Sequence, residues 1–498
     1  MGDSPNLFAY LVLILSVPLA VIVVRFTRPG LGAALVAVGA TLFLPESVGF
    51  DIPGLPDFEK MHLPYIGILV GACLRAPGRL ASARPGGRDD AIVILLVVAA
   101  MATWATNTDP LVSGPYAGTR LTIRDGISMV VSDVLLFGIP FFVGRALFRK
   151  SQDIRDLMIV LVGAGLVYAV LIVWEAQMSP QLHRNLYGYH PEFFGFVHRW
   201  GGFRPRVFLR SGLAVGMFSL AVTLAAVGCW HARVRIMTLS AGPVAVFLTG
   251  ILVLCKSTGA IVYGLFLIPA AALFRAPSLL ARVAILLAVL TFAYPLLRTL
   301  EWFPTDTLTQ AAERLDSDRA RSLAFRFENE DILLDYSFQR PVFGWGRHSR
   351  NVVFDPVTED NTVVDGYWII QLSSRGFVGW AGLFLLLLWP VFRTPSSLHR
   401  IDRKADRILL ANLSLIVAIY SVDLLPNGLF TNLPVFLAGA LSGLVRGLPS
   451  AGRGGSRRPP RRVSSDSPRE RTPPRAGGLG LGLVDRKGAR PARGRGKG

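Results

Sequence analysis

The chain has 498 residues, 52% of them apolar and 17% charged, with a formal net charge of +19. That apolar share exceeds what a soluble domain buries, and it comes in blocks near the ~20 residues a helix needs to cross a bilayer. A soluble fold is excluded, as is a membrane β-barrel with its short alternating strands. What remains is an all-α integral membrane protein of about 12–13 transmembrane helices.

In chain order, the first apolar block, 7–24, follows Met1–Asn6. It lacks the basic lead and small-residue cleavage site of a signal peptide, and Asn6 stands where myristoylation needs Ser or Thr, so it is expected to be a span. Further spans are expected at 31–44, 63–74, 91–106, 126–148, 157–175, 208–230, 236–255, 259–274 and 280–297. After a long polar interval come 376–392, 408–424 and 433–445. Four parts result: an N-terminal transmembrane bundle (1–298), a large extracytoplasmic loop with amphipathic helices (299–375), three C-terminal transmembrane helices (376–445) and a basic tail (446–498). Cys73, Cys229 and Cys255 show no metal or disulfide spacing.

Every second loop is basic: Arg25 and Arg28; Arg75, Arg79, Arg84 and Arg88; Arg145, Arg149, Lys150 and Arg155; Arg233 and Arg235; Arg275 and Arg282; Arg393 to Arg407. Short basic loops stay in the cytoplasm, so the alternate loops 45–62, 107–125, 176–207 and 298–375, and the N-terminus, are expected outside. The tail alone holds fifteen Arg/Lys against three Asp/Glu, which accounts for most of the excess charge without invoking nucleic acid. Rich in Pro, Gly, Ser and Arg, it has no core to bury and is expected to be disordered, as a solvated cytoplasmic tail or an arm for anionic lipid or a partner.

The interval 298–375 is far longer than a helix connection needs. Between Glu301 and Asp365 it carries thirteen acidic residues, seven arginines and no lysine. Guanidinium holds phosphate in a bidentate fork that ammonium cannot form. Residues 319–338 read as an amphipathic helix, with Leu323, Phe327, Leu334 and Phe338 on one face and Arg319, Arg326 and Glu330 on the other. Arg326 and Glu330 fit an ordinary i,i+4 surface pair as well as a site. Arg340-Pro-Val-Phe-Gly-Trp-Gly346 is a turn whose aromatics suit a membrane edge or a sugar face. A helix then begins after Asp365-Gly366, with Tyr367, Gln371 and Arg375 as a polar stripe. Asp365 fits a helix cap or a catalytic carboxylate.

The earlier loop, 183–210, is dense in His183, Arg184, His190, His198, Arg199, Arg204, Arg206 and Arg210. Its imidazoles lack metal-ligand spacing, whereas arginines at the mouth of a span suit a phosphate. Arg210 reads equally as a snorkelling side chain, and Lys256, which breaks the inside-positive pattern, as an interfacial anchor.

Together these residues resemble the O-antigen ligase and O-antigen polymerase superfamily. The likeness covers 322–380, through Arg326-Phe-Glu-Asn-Glu330, Arg340-Pro-Val-Phe-Gly-Trp-Gly346, Asp365-Gly-Tyr-Trp and Arg375-Gly-Phe-Val-Gly379, and extends to 204–216. Elsewhere it is one of hydropathy only. The resemblance implies a metal-independent, cofactor-free glycosyltransferase in a GT-C-like bundle in the bacterial inner membrane. Its partners would be an undecaprenyl-pyrophosphate-linked oligosaccharide, a glycan or lipid acceptor, the bilayer and other polysaccharide-assembly proteins. Arg204, Arg206 and the catalytic Arg326 would grip the pyrophosphate, with Arg210 and Lys256 beside them, while Asp365 would assist the acceptor hydroxyl and His348 is a further catalytic candidate. Ligases typically carry a His-Asn pair where this chain has Asp365-Gly366, which favours polymerase-like transfer over ligation to lipid A core.

Two rival classes remain. In a transporter or flippase the outward loop would act as a gate, and Asp133, inside an apolar span, would be a midplane charge. The other rival is a non-catalytic scaffold working through the basic tail.

Overall fold

A computed structural model describes residues 4–83, 87–113, 116–118, 120–314, 317–347, 349–355, 360–363 and 365–448. His348 and nearly all of the tail expected at 446–498 lie outside the described residues. The chain is mostly helical. In order run α1 (Leu7–Phe26), α2 (Pro29–Phe43), α3 (Leu63–Arg75), α4 (Pro77–Ser82), α5 (Arg88–Ala105), α6 (Ile123–Asp133), α7 (Ile139–Leu147), α8 (Ser151–Met178) and α9 (Leu182–Tyr187). They continue with α10 (Gly212–His231), α11 (Ala241–Leu254), α12 (Thr258–Leu273), α13 (Pro277–Thr299), α14 (Thr305–Glu313), α15 (Ser317–Ser337), α16 (Tyr367–Leu398), α17 (Lys404–Asp423) and α18 (Asn432–Gly447). Short antiparallel hairpins, such as His198–Arg199 with Gly202–Phe203, decorate the loops.

Among the described residues seven helices are long and apolar enough to cross a membrane: α1, the α6–α7 unit, α8, α10, α13, α16 and α17. Each of the thirteen expected spans falls on a helix, although α2, α3, α11, α12 and α18 are shorter and α5 is not among those seven. Boundaries shift where apolar residues cap the bundle: Ile236 and Leu239 exchange backbone hydrogen bonds in a turn before α11 begins. The apolar windows of α10 and α17 are 89% and 83% buried against 28% for α1, so the first two are the core and α1 lines the flank. α7 crosses α18 at Gly439 and Gly443, where an added Cβ would strike the backbone of α7 or its C-cap, the close approach that small residues four apart permit.

The alternate basic loops of the chain meet at one end. There Arg28 pairs with Asp156 at 3.1 Å, Arg79 with Asp153 at 3.4 Å, Arg145 with Asp90 at 2.6 Å and Arg446 with Asp89 at 2.8 Å. The remaining loops gather at the opposite end, where the candidate residues lie.

The 299–375 interval is not an independent loop domain at its C-terminal edge. Tyr367–Arg375 is the first part of α16, which breaks at Gly376 (φ 62°, ψ −172°). A break inside apolar surroundings orphans backbone groups, and these must be satisfied internally. The Arg340–Gly346 turn does this: Trp345 and Gly346 N–H donate to the carbonyls of Ser373 and Ser374, both at 2.8 Å, while Phe377 N–H donates to Pro341 at 2.7 Å and Val378 N–H to Val342 at 3.2 Å. The turn is thus the plug of a broken helix. Trp345 is buried, stacked on Tyr336 at 4.4 Å and 3° with the Arg340 guanidinium 4.4 Å from its ring, so its faces are taken and the sugar-stacking expectation fails for it.

Candidate functional site

Two groups of candidate residues form at the end opposite the basic loops. The first is organised by Glu175, near the end of α8. Its carboxylate accepts from the N–H of Leu182 at 3.0 Å, Arg206 at 2.8 Å and Val207 at 2.6 Å, folding residues 182–207 back over the helix. Glu46 does the same from the α2–α3 loop: it forms a buried pair with Lys60 at 2.7 Å and accepts the N–H of Arg210 at 3.0 Å. His183 closes the seam, its Nε2 accepting the Glu46 N–H at 3.3 Å and its Nδ1 facing the Tyr189 carbonyl at 3.0 Å.

Held this way, Arg204 and Arg206 are both buried. The Arg204 guanidinium reaches Ser257 Oγ at 3.4 Å, and its Nε has no hydrogen-bond partner among the described residues. Burial, with repulsion from Arg199, pulls its pKa down to about 10, so it stays charged at neutral pH. Arg206 donates to the Glu192 carbonyl at 2.9 Å, contacts His190 Nδ1 at 3.1 Å and lies 5.8 Å from the Phe194 ring centroid. Burial lowers its pKa too, opposed by Glu192 and Glu175. Neither guanidinium is ion-paired with a carboxylate among the described residues, and a buried charge held that way is poised for an anion. Lys256, at φ +48°, donates to the Arg199 carbonyl at 3.2 Å and ties the α11–α12 turn to this loop. Arg210 is exposed and precedes α10 rather than lying inside it, so the snorkelling reading loses its premise.

The second group comes from 299–375. Arg326 Nε meets Asp365 Oδ2 at 3.0 Å, each side chain 35% exposed, and an Arg326 terminal nitrogen donates to the Pro426 carbonyl at 3.3 Å. Asp365 is therefore not the cap of α16; Gly366 occupies that position without a side-chain cap. The i,i+4 pairing of Arg326 with Glu330 does not form. Glu330 instead turns inward, accepting from Tyr294 at 2.9 Å, Arg298 at 3.2 Å and Trp368 at 3.1 Å. Burial raises its pKa against those donors. The expected faces of α15 are corrected accordingly: Glu330, Leu333 and Leu334 are buried while Phe338 is 41% exposed, because the helix packs on α16 and reaches Tyr294 and Arg298 of α13 through Glu330.

No described contact joins Arg204 or Arg206 to Arg326 or Asp365. Between the groups runs the segment after α17: Pro426 holds Arg326, and Leu424 and Leu429 share a narrow cavity with Leu209 and Leu213, next to the first group.

A third cluster escaped sequence reasoning except for Asp133 and the polar stripe. Arg375, at the break of α16, is ion-paired with Asp133, immediately before a π-helical segment, Val134–Gly138. Arg347 donates to the neighbouring Ser132 at 2.7 Å. Burial lowers the Arg347 pKa, and the Arg375 charge lowers it further. Asp133 Oδ1 and Gln371 Oε1 lack partners among the described residues. The signal was present as Arg375 two turns below Tyr367, but its partner lay more than two hundred residues away.

No group of three metal-ligating side chains converges among the described residues. No protein-family model and no curated protein matches the chain.

Proposed function

We propose that this multi-pass membrane protein is a glycosyltransferase that transfers or polymerises an undecaprenyl-pyrophosphate-linked glycan at the outer face of a bacterial inner membrane. The observation that carries the reading is the Arg326–Asp365 pair at 3.0 Å: two residues singled out from separate motif stretches meet in a half-exposed position on one side of the Leu424–Thr431 segment. Across that segment, Arg204 and Arg206 supply buried positive charge short of carboxylates.

In this mechanism the acceptor hydroxyl attacks the anomeric carbon and the bond to the pyrophosphate oxygen breaks. Arg204 and Arg206 stabilise charge growing on the departing diphosphate. Asp365 takes the hydroxyl proton or orients it, and Arg326 positions that carboxylate. The substrate itself would span the two groups. The Asp365-Gly366 sequence favours a polymerase over ligation to lipid A core, the alternative within the same chemistry. The test is chain extension from a lipid-linked oligosaccharide by Ala variants of Arg204, Arg206, Arg326 and Asp365; full activity in all four rejects the site.

A transporter is favoured by a different observation, the Asp133–Arg375 pair lodged between a π segment and a broken helix, a setting typical of transport pathways. Asp133→Asn separates the readings. A transporter loses flux of lipid-linked glycan across vesicles, whereas a transferase retains substrate binding and loses only what the fold loses.

A further inference from the structure

At the basic end, a cleft of about 620 Å³ opens between the starts of α8 and α17 and the end of α18, walled by Arg149, Lys150, Arg155, Arg403, Asp402 and Asp406. We propose that this cleft is a binding site for a phosphate group, carried by an anionic lipid headgroup or a soluble diphosphate, separate from the chemistry at the opposite end.

The first argument is an accounting of carboxylates. Every buried aspartate at this end is already engaged. Asp153 accepts the N–H of Arg149 at 3.0 Å and of Lys150 at 2.9 Å besides pairing with Arg79. Asp156 takes Arg28 at 3.1 Å and Gln152 at 2.8 Å. Asp406 takes Ser151 and, at 3.7 Å, Arg155. Asp89 and Asp90 take Arg446 and Arg145. Among the described residues three cations of the cleft wall, Arg149, Lys150 and Arg403, then remain without a side-chain carboxylate partner, and Asp402 is the one carboxylate of that wall with no ion pair.

The second argument is preorganisation. The Arg149 guanidinium is fixed by hydrogen bonds to Ser82, at 2.7 Å to the hydroxyl and 3.1 Å to the carbonyl. Burial and the neighbouring Arg145, Arg446 and Arg79 charges push its pKa down, which marks a place where an added dianion relieves repulsion. The third is location. A cleft at the end of a helical bundle is level with phospholipid headgroups, and basic pockets there bind multiply charged ones. A phosphate fits better than a carboxylate because its several oxygens can be shared among the N–H groups of Arg149 that Ser82 leaves over, Lys150 and Arg403.

Full-length protein is placed in phosphatidylcholine nanodiscs carrying a minor fraction of cardiolipin or phosphatidylglycerol, and retained lipid is counted by native mass spectrometry with inorganic pyrophosphate as soluble competitor. Wild type is expected to retain cardiolipin above phosphatidylglycerol. Lys150→Gln/Arg403→Gln is expected to weaken retention roughly 25-fold, about fivefold per cation. Arg25→Gln/Arg235→Gln, equal in charge and outside the cleft wall, is expected to leave it unchanged. Retention of pyrophosphate by the lipid-free protein, lost in the cleft variant, supports the site with a soluble ligand. Equal loss in both double variants, or no loss in either, overturns the proposal. Arg403→Gln alone, at an exposed position, serves if the double variant fails to fold.

Discussion

The amide nitrogen of Gly376 lies 2.5 Å from where a Cβ on Gly344 would stand. Both residues have positive φ, 69° and 62°, and between them they let the turn press into the gap of the broken helix. Gly344→Ala and Gly376→Ala are each expected to cost more than ~2 kcal/mol, through overpacking and a disfavoured backbone. Gly163→Ala, in open space on α8, is the control and is expected to stabilise by up to ~1 kcal/mol. Melting temperatures in detergent check this; equal behaviour of the three variants would show that the turn does not plug the break.

Glu330 holds α15 to α13 and α16 through Arg298, Tyr294 and Trp368. Glu330→Ala removes the shared acceptor of Tyr294, Trp368 and Arg298 Nε, while Asp331 still pairs with Arg298 at 2.6 Å, and is expected to cost about 1–3 kcal/mol. Arg298→Met/Glu330→Met removes both charges and is expected to recover much of that loss. Denaturant midpoints of the two variants decide it, and an equal or lower midpoint for the double variant contradicts the pairing.

Arg326 and Asp365 are each 35% exposed, so their ion pair contributes little to stability, under ~1 kcal/mol. Arg326→Ala and Asp365→Ala are therefore expected to melt near wild type while transfer from a lipid-linked oligosaccharide falls by about 100-fold or more. The exchange Arg326→Asp/Asp365→Arg restores the pair but not its orientation, and transfer should stay low. Transfer that recovers in the exchanged protein would mark the pair as structural.

His62 and His183 are buried neutral, with pKa values pulled down to about 4, chiefly by burial. Unfolded, each takes up a proton near pH ~6.5. Between those values the unfolded chain binds more protons, so the stability present above pH ~6.5 is lost as pH falls toward 4, by up to ~1.4 kcal/mol per pH unit per histidine. Melting temperature measured from pH 7 to 4 should fall, and His183→Gln should flatten the slope. An equal slope in wild type and His183→Gln excludes this linkage for His183.

Much of the helical order followed from local rules. Apolar blocks 7–24 and 280–297 became α1 and α13 because a helix satisfies its own backbone in hydrocarbon and length alone sets the span. Alternation of basic loops such as Arg28, Arg79 and Arg149 located one end of the bundle, since charge asymmetry is written in composition. Pairing was not local. Glu330 looked like the surface partner of Arg326 because helical spacing counts only neighbours on one helix, and docking against α13 gave it to Arg298 instead. The Pro-Gly turn was legible as a turn, but its role required the position of Gly376, and Asp133 could find Arg375 only after two distant helices packed. Sequence thus determined which segments are apolar, helical or charged. Tertiary structure decided which charges meet, because buried ions are fixed by partners brought together by packing rather than by their place along the chain.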